Sequence, residues 1–321
     1  MDYIYAGTRA KVLKQKLLSE TQTERLFGAK SVAETFKVLQ DTFLAPYLAK
    51  HEKTDITEAL DECIVDTKKL LKSIAPQPEI LDVLWVKYDY HNLKTIIKGK
   101  RMGLGNEDIT NLCFSAGIYA PEQILREYEK GDLRALNYHF HEAMEEAEHS
   151  ERRYGIDVAM NTHYFKTIKT IADKTKDTFL RMFVALLVDT FNIKTALRSI
   201  SLEELAGMET FVDDGTFSKD DLATTDNVFK NIGKIGGVTM WTRVIDHYKT
   251  TGNYGLIEKT IDEYITQFLM ERGREVTSPA PLFSYFTRLK NNARIIGSIV
   301  ATKRSGMNEK ELRAVMRRVY N

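Results

Sequence analysis

The stretch DYHNLKT at residues 89–95 decides the fold, because the chain repeats it. It recurs as DTFNIKT at residues 189–195, and a shorter copy, NNAR, stands at residues 291–294. In every copy a cation follows two residues after an asparagine, which gives the pairs Asn92 and Lys94, Asn192 and Lys194, Asn292 and Arg294. A signature that recurs at a constant interval of about a hundred residues indicates an internal repeat.

Two further markers keep the same order along the chain. The pattern IxxALD at residues 56–61 matches IxxAMN at 156–161 and IxxTID at 257–262. A glycine turn that precedes a helix start recurs at Gly28, Gly117 and Gly215. These markers predict three pseudo-symmetric helical repeats, residues 1–103, 104–203 and 204–321, and a C-terminal capping helix that opens near Met307.

Helical periodicity extends through almost the whole sequence. Apolar residues between Ile56 and Ile74 recur mostly at three- and four-residue steps, which predicts an amphipathic helix. The stretch from Ile80 to Ile97 is apolar on nearly every side, which is typical of a buried helix. Capping boxes at Ser31-x-x-Glu34 and Ser201-x-x-Glu204, and a proline at position 121, mark helix starts. We therefore predict an all-α protein.

Composition excludes several classes of function. Lys and Arg total 46 against 45 Asp and Glu, and a net charge of +1 gives no basis for binding nucleic acid. The N-terminus lacks the pattern of a signal peptide. The longest strongly apolar run, residues 182–188, is too short to span a bilayer, so we expect any membrane association to be peripheral.

The asparagine–cation signature has two interpretations. It could form three equivalent ligand sites. The favoured alternative is architectural: an asparagine inside a buried helix binds a neighbouring turn, while the cation packs its stem and extends its charge to water. We favour the second because the signature coincides with the repeat itself.

Other candidate chemistry is weak. His139, His141 and His149 lie among glutamates, but no second Glu-x-x-His accompanies Glu146-x-x-His149, so we predict a solvated helix face and no metal site. The glycine-rich segment 233–237 lacks the Ser or Thr of a phosphate-binding loop, and the chain shows no nucleophile–base motif. We accordingly expect no catalytic residues and no cofactor.

Taken together, these motifs resemble the C subunit of V/A-type rotary ATPases, whose counterpart in eukaryotic vacuolar pumps is the d subunit. The resemblance covers the whole chain and rests on the three repeats, the signature, the IxxALD helix and an opening that holds Tyr5, Arg9, Val12 and the pair Leu17-Leu18. The chain departs from the family pattern at Asn161, which stands for an aspartate, and at Leu289, in the eroded third signature.

The resemblance implies a funnel of three helical domains with no catalytic activity. Its wide cavity would receive the D and F subunits of the axle, and its other end would seat on the proteolipid (c/K) ring at the cytoplasmic side of the membrane. Such a protein transmits torque for proton or sodium transport. The alternative is an α-helical repeat adaptor with a concave protein-binding face, although its repeat unit is usually much shorter. A helical enzyme with an unrecognised pocket comes third.

Overall fold

A computed structural model of the chain describes residues 2–51, 56–151, 154–201, 211–213, 215–252, 254–306 and 313. Within these residues every regular element is helical and no strand occurs, which confirms the all-α prediction. The α-helices are, in chain order, α1 (Ile4–Lys14), α2 (Glu20–Gly28), α3 (Val32–Leu39), α4 (Ala45–Leu48), α5 (Ile56–Ile74), α6 (Asp82–Arg101), α7 (Asn106–Asn111), α8 (Pro121–Glu129), α9 (Tyr138–His149), α10 (Gly155–Thr175), α11 (Thr178–Ser201), α12 (Thr225–Asn231), α13 (Val238–Thr251), α14 (Gly255–Arg272) and α15 (Ala280–Ser305). Short 3₁₀ turns lie at Pro78–Leu81, Asp220–Leu222 and Ile232–Ile235.

The apolar periodicity of the sequence accounts for two of these helices. Helix α5 begins and ends where the pattern predicts, and it buries one face at three- and four-residue steps, through Ile56, Ala59, Cys63, Thr67 and Leu71. Helix α6 is instead buried on several sides, with Trp85 and Leu93 fully enclosed. Its last turn carries Lys98, Lys100 and Arg101, cations that favour the negative end of a helix dipole.

Capping side chains define several helix starts. Ser31 accepts the backbone N–H of Glu34 at 3.2 Å and so caps α3. The reciprocal half of the predicted capping box is not formed, because the Glu34 carboxylate accepts the N–H of Lys30 at 2.7 Å. Pro121 is the first residue of α8, where its missing N–H costs no helical hydrogen bond. Ser19 and Gln22 form a reciprocal capping box on α2 that was not among the sequence predictions. The predicted cap at Ser201 depends on residues 202–204, which lie outside the described residues.

Chain contacts divide the protein into two compact units, the first of which is discontinuous. It contains Met1–Pro78 together with Thr266–Asn321. Helix α15 forms its centre and packs against α1, α2, α3 and α5. The backbone of α1 comes very close to the segment before α15, where Gly7 faces the Val276 backbone. Residues near the two ends of the sequence therefore share one core.

The second unit is continuous and contains Glu79–Ile265. Helix α6 packs against α7, α8, α9 and α10, and α10 also contacts α11. Around α11 a core forms with the residues that follow it: Ile193 and Leu197 are buried with Trp241, Ile257 and Ile261.

We call α6, α11 and α15 the signature helices, because they carry Asn92, Asn192 and Asn292. Helices α5, α10 and α14 carry the IxxALD-type patterns, and we call them the marker helices. Signature helix α6 packs on α10, α11 contacts α14 and α15 packs on α5. Each signature helix therefore packs on the marker helix of the next predicted repeat, which favours a structural unit that begins with the signature helix. The predicted boundaries after residues 103 and 203 remain a prediction. The predicted capping helix from Met307 lies outside the described residues, apart from Arg313.

Helix length and composition also bear on membrane association. Among the described residues, no helix combines the length and apolar character that crossing a bilayer requires.

Candidate functional site

The asparagines of the repeat signature each bind backbone on a facing segment. Asn92 donates from Nδ2 to the Phe114 carbonyl at 2.8 Å and accepts the Phe114 N–H on Oδ1 at 2.8 Å. Asn192 makes the same two bonds to Val212, at 2.8 and 2.9 Å. A primary amide offers one donor and one acceptor side by side, so it can satisfy both backbone groups of one residue. We call these arrangements the asparagine clamps.

The third asparagine reaches the opposite end of the sequence. Asn292 Oδ1 accepts the N–H of Leu18 at 2.9 Å, across 274 positions. All three asparagines are buried, with 0%, 1% and 4% of their surface exposed for Asn92, Asn192 and Asn292. Buried amides must be hydrogen-bonded to be tolerated, and for Asn92 and Asn192 the backbone satisfies both the amide nitrogen and the amide oxygen.

An aspartate three residues before each of the first two clamps holds the glycine turn. Asp89 accepts the N–H groups of Ile118 and Tyr119 at 3.0 and 3.1 Å, and Asp189 accepts that of Thr216 at 2.6 Å. A side chain added to Gly117 would overlap the Asp89 carboxylate. The glycine therefore leaves the space that the aspartate carboxylate needs to bind the backbone of the turn.

The third copy lacks the aspartate of this arrangement. Leu289 replaces the aspartate and is buried, with 1% exposed. At Gly28 a side chain would meet nothing within 4 Å, whereas Gly215 packs directly on Asp189. Gly28 is the last residue of α2 and lies ten residues after Leu18, the residue that Asn292 binds. Gly117 and Gly215 each lie three residues after the residue that their asparagine binds, so Gly28 is not the structural counterpart of these turns.

The signature lysines, Lys94 and Lys194, form ion pairs with side chains of the marker helices. Lys94 and Lys98 both reach Asp157 on α10, at 3.2 and 3.0 Å. Burial by itself would raise the pKa of Asp157, but these two ammonium groups hold it below its ordinary value. In the next copy Lys194 binds Asp262 at 2.8 Å, and Arg198 pairs with Glu258. Arg294 lies exposed on α15.

Sequence reasoning identified the cations but expected their charges to extend to water, so it missed the partners of both Lys94 and Lys194. Asn161 occupies the position that Asp262 holds in the next copy, and it cannot supply a charge. Lys94 pairs instead with Asp157, four residues and one helical turn earlier. The i, i+4 spacing of Lys94 and Lys98 was a usable signal, because two such cations share one helix face.

The histidine-rich helix α9 differs from its prediction. His141 is only 7% exposed and its Nδ1 accepts the Leu133 N–H at 3.3 Å, so a fully solvated face is wrong for this residue. The structure also places His163 of α10 against α9, beside His139 and Glu142. His163 was not among the candidate residues of the sequence, because it stands on the following helix.

One cavity of about 310 Å³ lies between α10, α11 and residues 211–213. Phe165, Val184 and Val188 supply apolar walls, and Lys166, Lys169 and Arg181 add positive charge. Among the described residues that line it there is no histidine, cysteine or serine.

Comparison with known proteins gives a consistent result along the whole chain. A family profile described as ATP synthase (C/AC39) subunit matches residues 6–315. The chain is 22% identical to the C subunit of the V-type sodium ATPase of Enterococcus hirae, over 95% of both proteins. It is 22% identical to the C subunit of the A-type ATP synthase of Methanocaldococcus jannaschii, over 98% of this chain and 86% of that protein. The C subunit of the V-type ATP synthase of Deinococcus radiodurans is 24% identical, over 62% of this chain and 60% of its own length.

Proposed function

Because the chain belongs to the family of ATP synthase C/AC39 subunits, the C subunits of V/A-type rotary ATPases, we propose that it couples rotation to ion transport without catalysing a reaction. In this proposal it is a central-stalk component. It connects the D and F subunits of the axle to the proteolipid (c/K) ring, at the cytoplasmic side of the membrane, and so takes part in proton or sodium transport. Its own attachment to the membrane is peripheral, through the ring.

The observation that carries the proposal is the threefold recurrence of the asparagine signature on buried helices. Asn92, Asn192 and Asn292 each fix a neighbouring segment by hydrogen bonds to its backbone. Copies of one unit placed about an axis present similar surfaces, which suits contact with a symmetric ring. A funnel of three pseudo-symmetric repeats is part of this proposal.

A torque-carrying part must also resist deformation. Closely packed interiors have low compressibility and transmit strain. The signature helices meet this need, because α6 and α15 are buried along most of their length and each is anchored by an asparagine. Ion pairs such as Lys194 with Asp262 add side-to-side connections between helices.

The state of the cysteines supports a non-catalytic role. Burial raises the pKa of Cys63 to about 12 and that of Cys113 to about 11. A cysteine acts as a nucleophile through its thiolate, and both groups remain protonated thiols at neutral pH. Neither therefore has the character of a reactive cysteine.

Recovery of the complex from native membranes tests the proposal. The affinity-tagged chain is purified in a mild detergent and its partners are identified by mass spectrometry. We expect the D and F subunits of the axle and the proteolipid to be recovered together. A preparation that contains neither the axle nor the proteolipid would contradict the proposal, and recovery of unrelated proteins alone would favour the adaptor.

Coupling itself can be measured in membrane vesicles. Removal of the chain should abolish ATP-driven ion uptake while ATP hydrolysis by the detached catalytic head continues. Return of the purified chain should restore uptake. Ion uptake that persists in vesicles proven to lack the chain would show that coupling does not depend on it.

A further inference from the structure

Three side chains converge between α9 and α10, outside the asparagine clamps. Glu142 Oε2 lies 2.9 Å from His139 Nδ1 and 3.5 Å from His163 Nδ1. One ligand atom from each of the three residues falls within 4.8 Å of the others. We propose that His139, Glu142 and His163 form a binding site for a divalent transition-metal cation of the Zn²⁺ class. This inference does not depend on the proposed function.

The outer partners of the two histidines orient them for this purpose. His163 Nε2 lies 2.9 Å from Glu146 Oε2, and His139 Nε2 lies 3.2 Å from Thr170 Oγ1. Metal-binding histidines characteristically donate their second ring N–H to a carboxylate or another oxygen. A metal would bind the tautomer in which Nε2 is protonated and each Nδ1 presents its lone pair toward Glu142. The 2.9 Å contact between His139 Nδ1 and Glu142 is a hydrogen bond, which coordination of one cation by both atoms would replace.

The buried Nδ1 atom of His163 gives separate support for a metal site. Its side chain is buried, with 3% of the residue exposed. Among the described residues, none forms a hydrogen bond to its Nδ1. A buried ring nitrogen that makes no hydrogen bond carries a free-energy cost, which coordination to a cation would remove.

The charges around His163 also suit a divalent cation. Two carboxylates, Glu142 and Glu146, lie 3.5 and 2.9 Å from its ring nitrogens, and the ammonium group of Lys166 is also near.

Ligand type and spacing select the class of metal. Zn²⁺ binds imidazole nitrogen and carboxylate oxygen at about 2.0–2.2 Å in a tetrahedron, which separates ligand atoms by about 3.3 Å. The separations of Glu142 Oε2 from the two Nδ1 atoms, 2.9 and 3.5 Å, lie on either side of that value, and the ligand atoms of the two histidines lie within 4.8 Å of each other. Two imidazoles disfavour Mg²⁺ and Ca²⁺, which prefer oxygen ligands. The side chains of His139 and Glu142 are 25% and 31% exposed, which leaves a path for the ion and for water.

Zinc titration of the untagged, full-length protein tests the site, after dialysis against a chelator. Isothermal titration calorimetry should show one Zn²⁺ per chain, and Co²⁺ should give the visible absorption of a tetrahedral complex. His163→Gln and Glu142→Gln should weaken Zn²⁺ binding by about tenfold or more. His149→Gln is the matched control, because His149 lies on α9 outside the cluster and is expected to leave binding unchanged.

His139→Gln provides a second route if the buried variant fails to fold, because His139 is partly exposed. Its circular dichroism should match the wild type while its Zn²⁺ affinity falls about tenfold. Wild-type protein that binds no Zn²⁺, or binds it no better than the His139 and Glu142 variants do, would overturn the proposal.

Discussion

At the scale of single residues, the asparagine clamps combine a poor helix former with a strong tertiary role. Asparagine disfavours helix interiors, yet Asn92 and Asn192 lie within α6 and α11. Each binds both backbone groups of one facing residue. The unfavourable local preference is therefore offset by satisfying a backbone segment that has no helix or sheet partner of its own.

Truncation of one clamp should be costly. Asn192→Ala leaves the N–H and the carbonyl of Val212 without their side-chain partner in a buried position. We expect a loss of about 2–4 kcal/mol in the free energy of unfolding. Urea denaturation followed by circular dichroism measures the change.

An exposed asparagine of the same unit provides the control. Asn111 ends helix α7 at the surface, and Asn111→Ala should change stability by no more than about 0.5 kcal/mol. Equal effects of the two substitutions would show that the clamp contributes nothing beyond an ordinary surface contact.

The glycine turns give a second prediction, with an internal control. Gly117→Ala forces a methyl group onto the Asp89 carboxylate, and we expect destabilisation of about 1–3 kcal/mol. Gly28→Ala meets open space at the end of α2 and should be neutral or stabilising by up to about 1 kcal/mol. Thermal unfolding of both variants compares them. A harmful Gly28→Ala together with a harmless Gly117→Ala would contradict this assignment.

The recurrence of these residues was readable from the sequence, but their partners were not. Asn92, Asn192 and Asn292 stand out because the signature repeats. Their bonded residues lie 22, 20 and 274 positions away, in segments with no pattern in common with the helices. Only folding brings Leu18 to Asn292, and no local rule of sequence could pair them.

At the scale of helices, ion pairs connect signature helices to marker helices. Lys94 and Lys98 approach Asp157 from α6, and Lys194 reaches Asp262 from α11. Two cations around one partly buried carboxylate stabilise its ionised form. The packing of α6 on α10 should therefore depend on pH.

The pKa of Asp157 sets the direction of that dependence. Its folded pKa lies below the ordinary value of 3.8, so its contribution to stability is fully present above that value. The contribution is lost as pH falls through the folded pKa. Asp157→Asn should accordingly reduce stability at pH 7 and reduce it less at pH 3, as measured by urea denaturation at each pH.

Asp173→Asn removes one charge from the same helix and serves as the control. Asp173 lies 3.8 Å from Arg181 with a 57% exposed carboxylate, an arrangement that contributes little to stability. If the gap between wild type and Asp157→Asn widened in acid, the assigned role of the two lysines would be wrong.

Helix positions followed well from periodicity, and helix pairings did not. The bounds of α5 and the start of α8 agree with the sequence patterns, because burial at three- and four-residue steps and proline chemistry are local effects. The cluster of His139, Glu142 and His163 depends on two helices lying side by side. Spacing along α9 alone could not reveal the contribution of α10.

At the scale of the whole molecule, the first unit is assembled from both ends of the sequence. Helix α15 packs against α1, α2, α3 and α5. The discontinuity explains why repeats defined by sequence order and units defined by contacts have different boundaries. The discontinuity also predicts that α15 and the N-terminal helices on which it packs unfold and refold together.

Hydrogen exchange can test this cooperativity. A side chain at Gly7 would lie 2.8 Å from the Val276 carbonyl oxygen and 3.0 Å from its Cα, and backbone atoms cannot move aside cheaply. Gly7→Val should lower amide protection in α1 and α15 together by about tenfold, while α6–α10 keep theirs. Mass spectrometry of proteolytic peptides resolves the segments.

Val12→Ala, on the exposed side of α1, is the control and should leave protection of α15 unchanged. Loss of protection confined to α1 in Gly7→Val would contradict a shared cooperative unit.

The bond between Leu18 and Asn292 also bears on how the protein is synthesised. A ribosome adds Leu18 to the chain 274 residues before it adds Asn292, the residue that Leu18 must meet. Helices α6–α10 are contiguous and can pack as they emerge, whereas the surfaces of α1, α2, α3 and α5 that pack on α15 stay uncovered until α15 has been synthesised. The first unit thus begins to emerge before the second but completes its core after it. A product that terminates before α15 carries an exposed apolar surface, which chaperones or proteases can recognise.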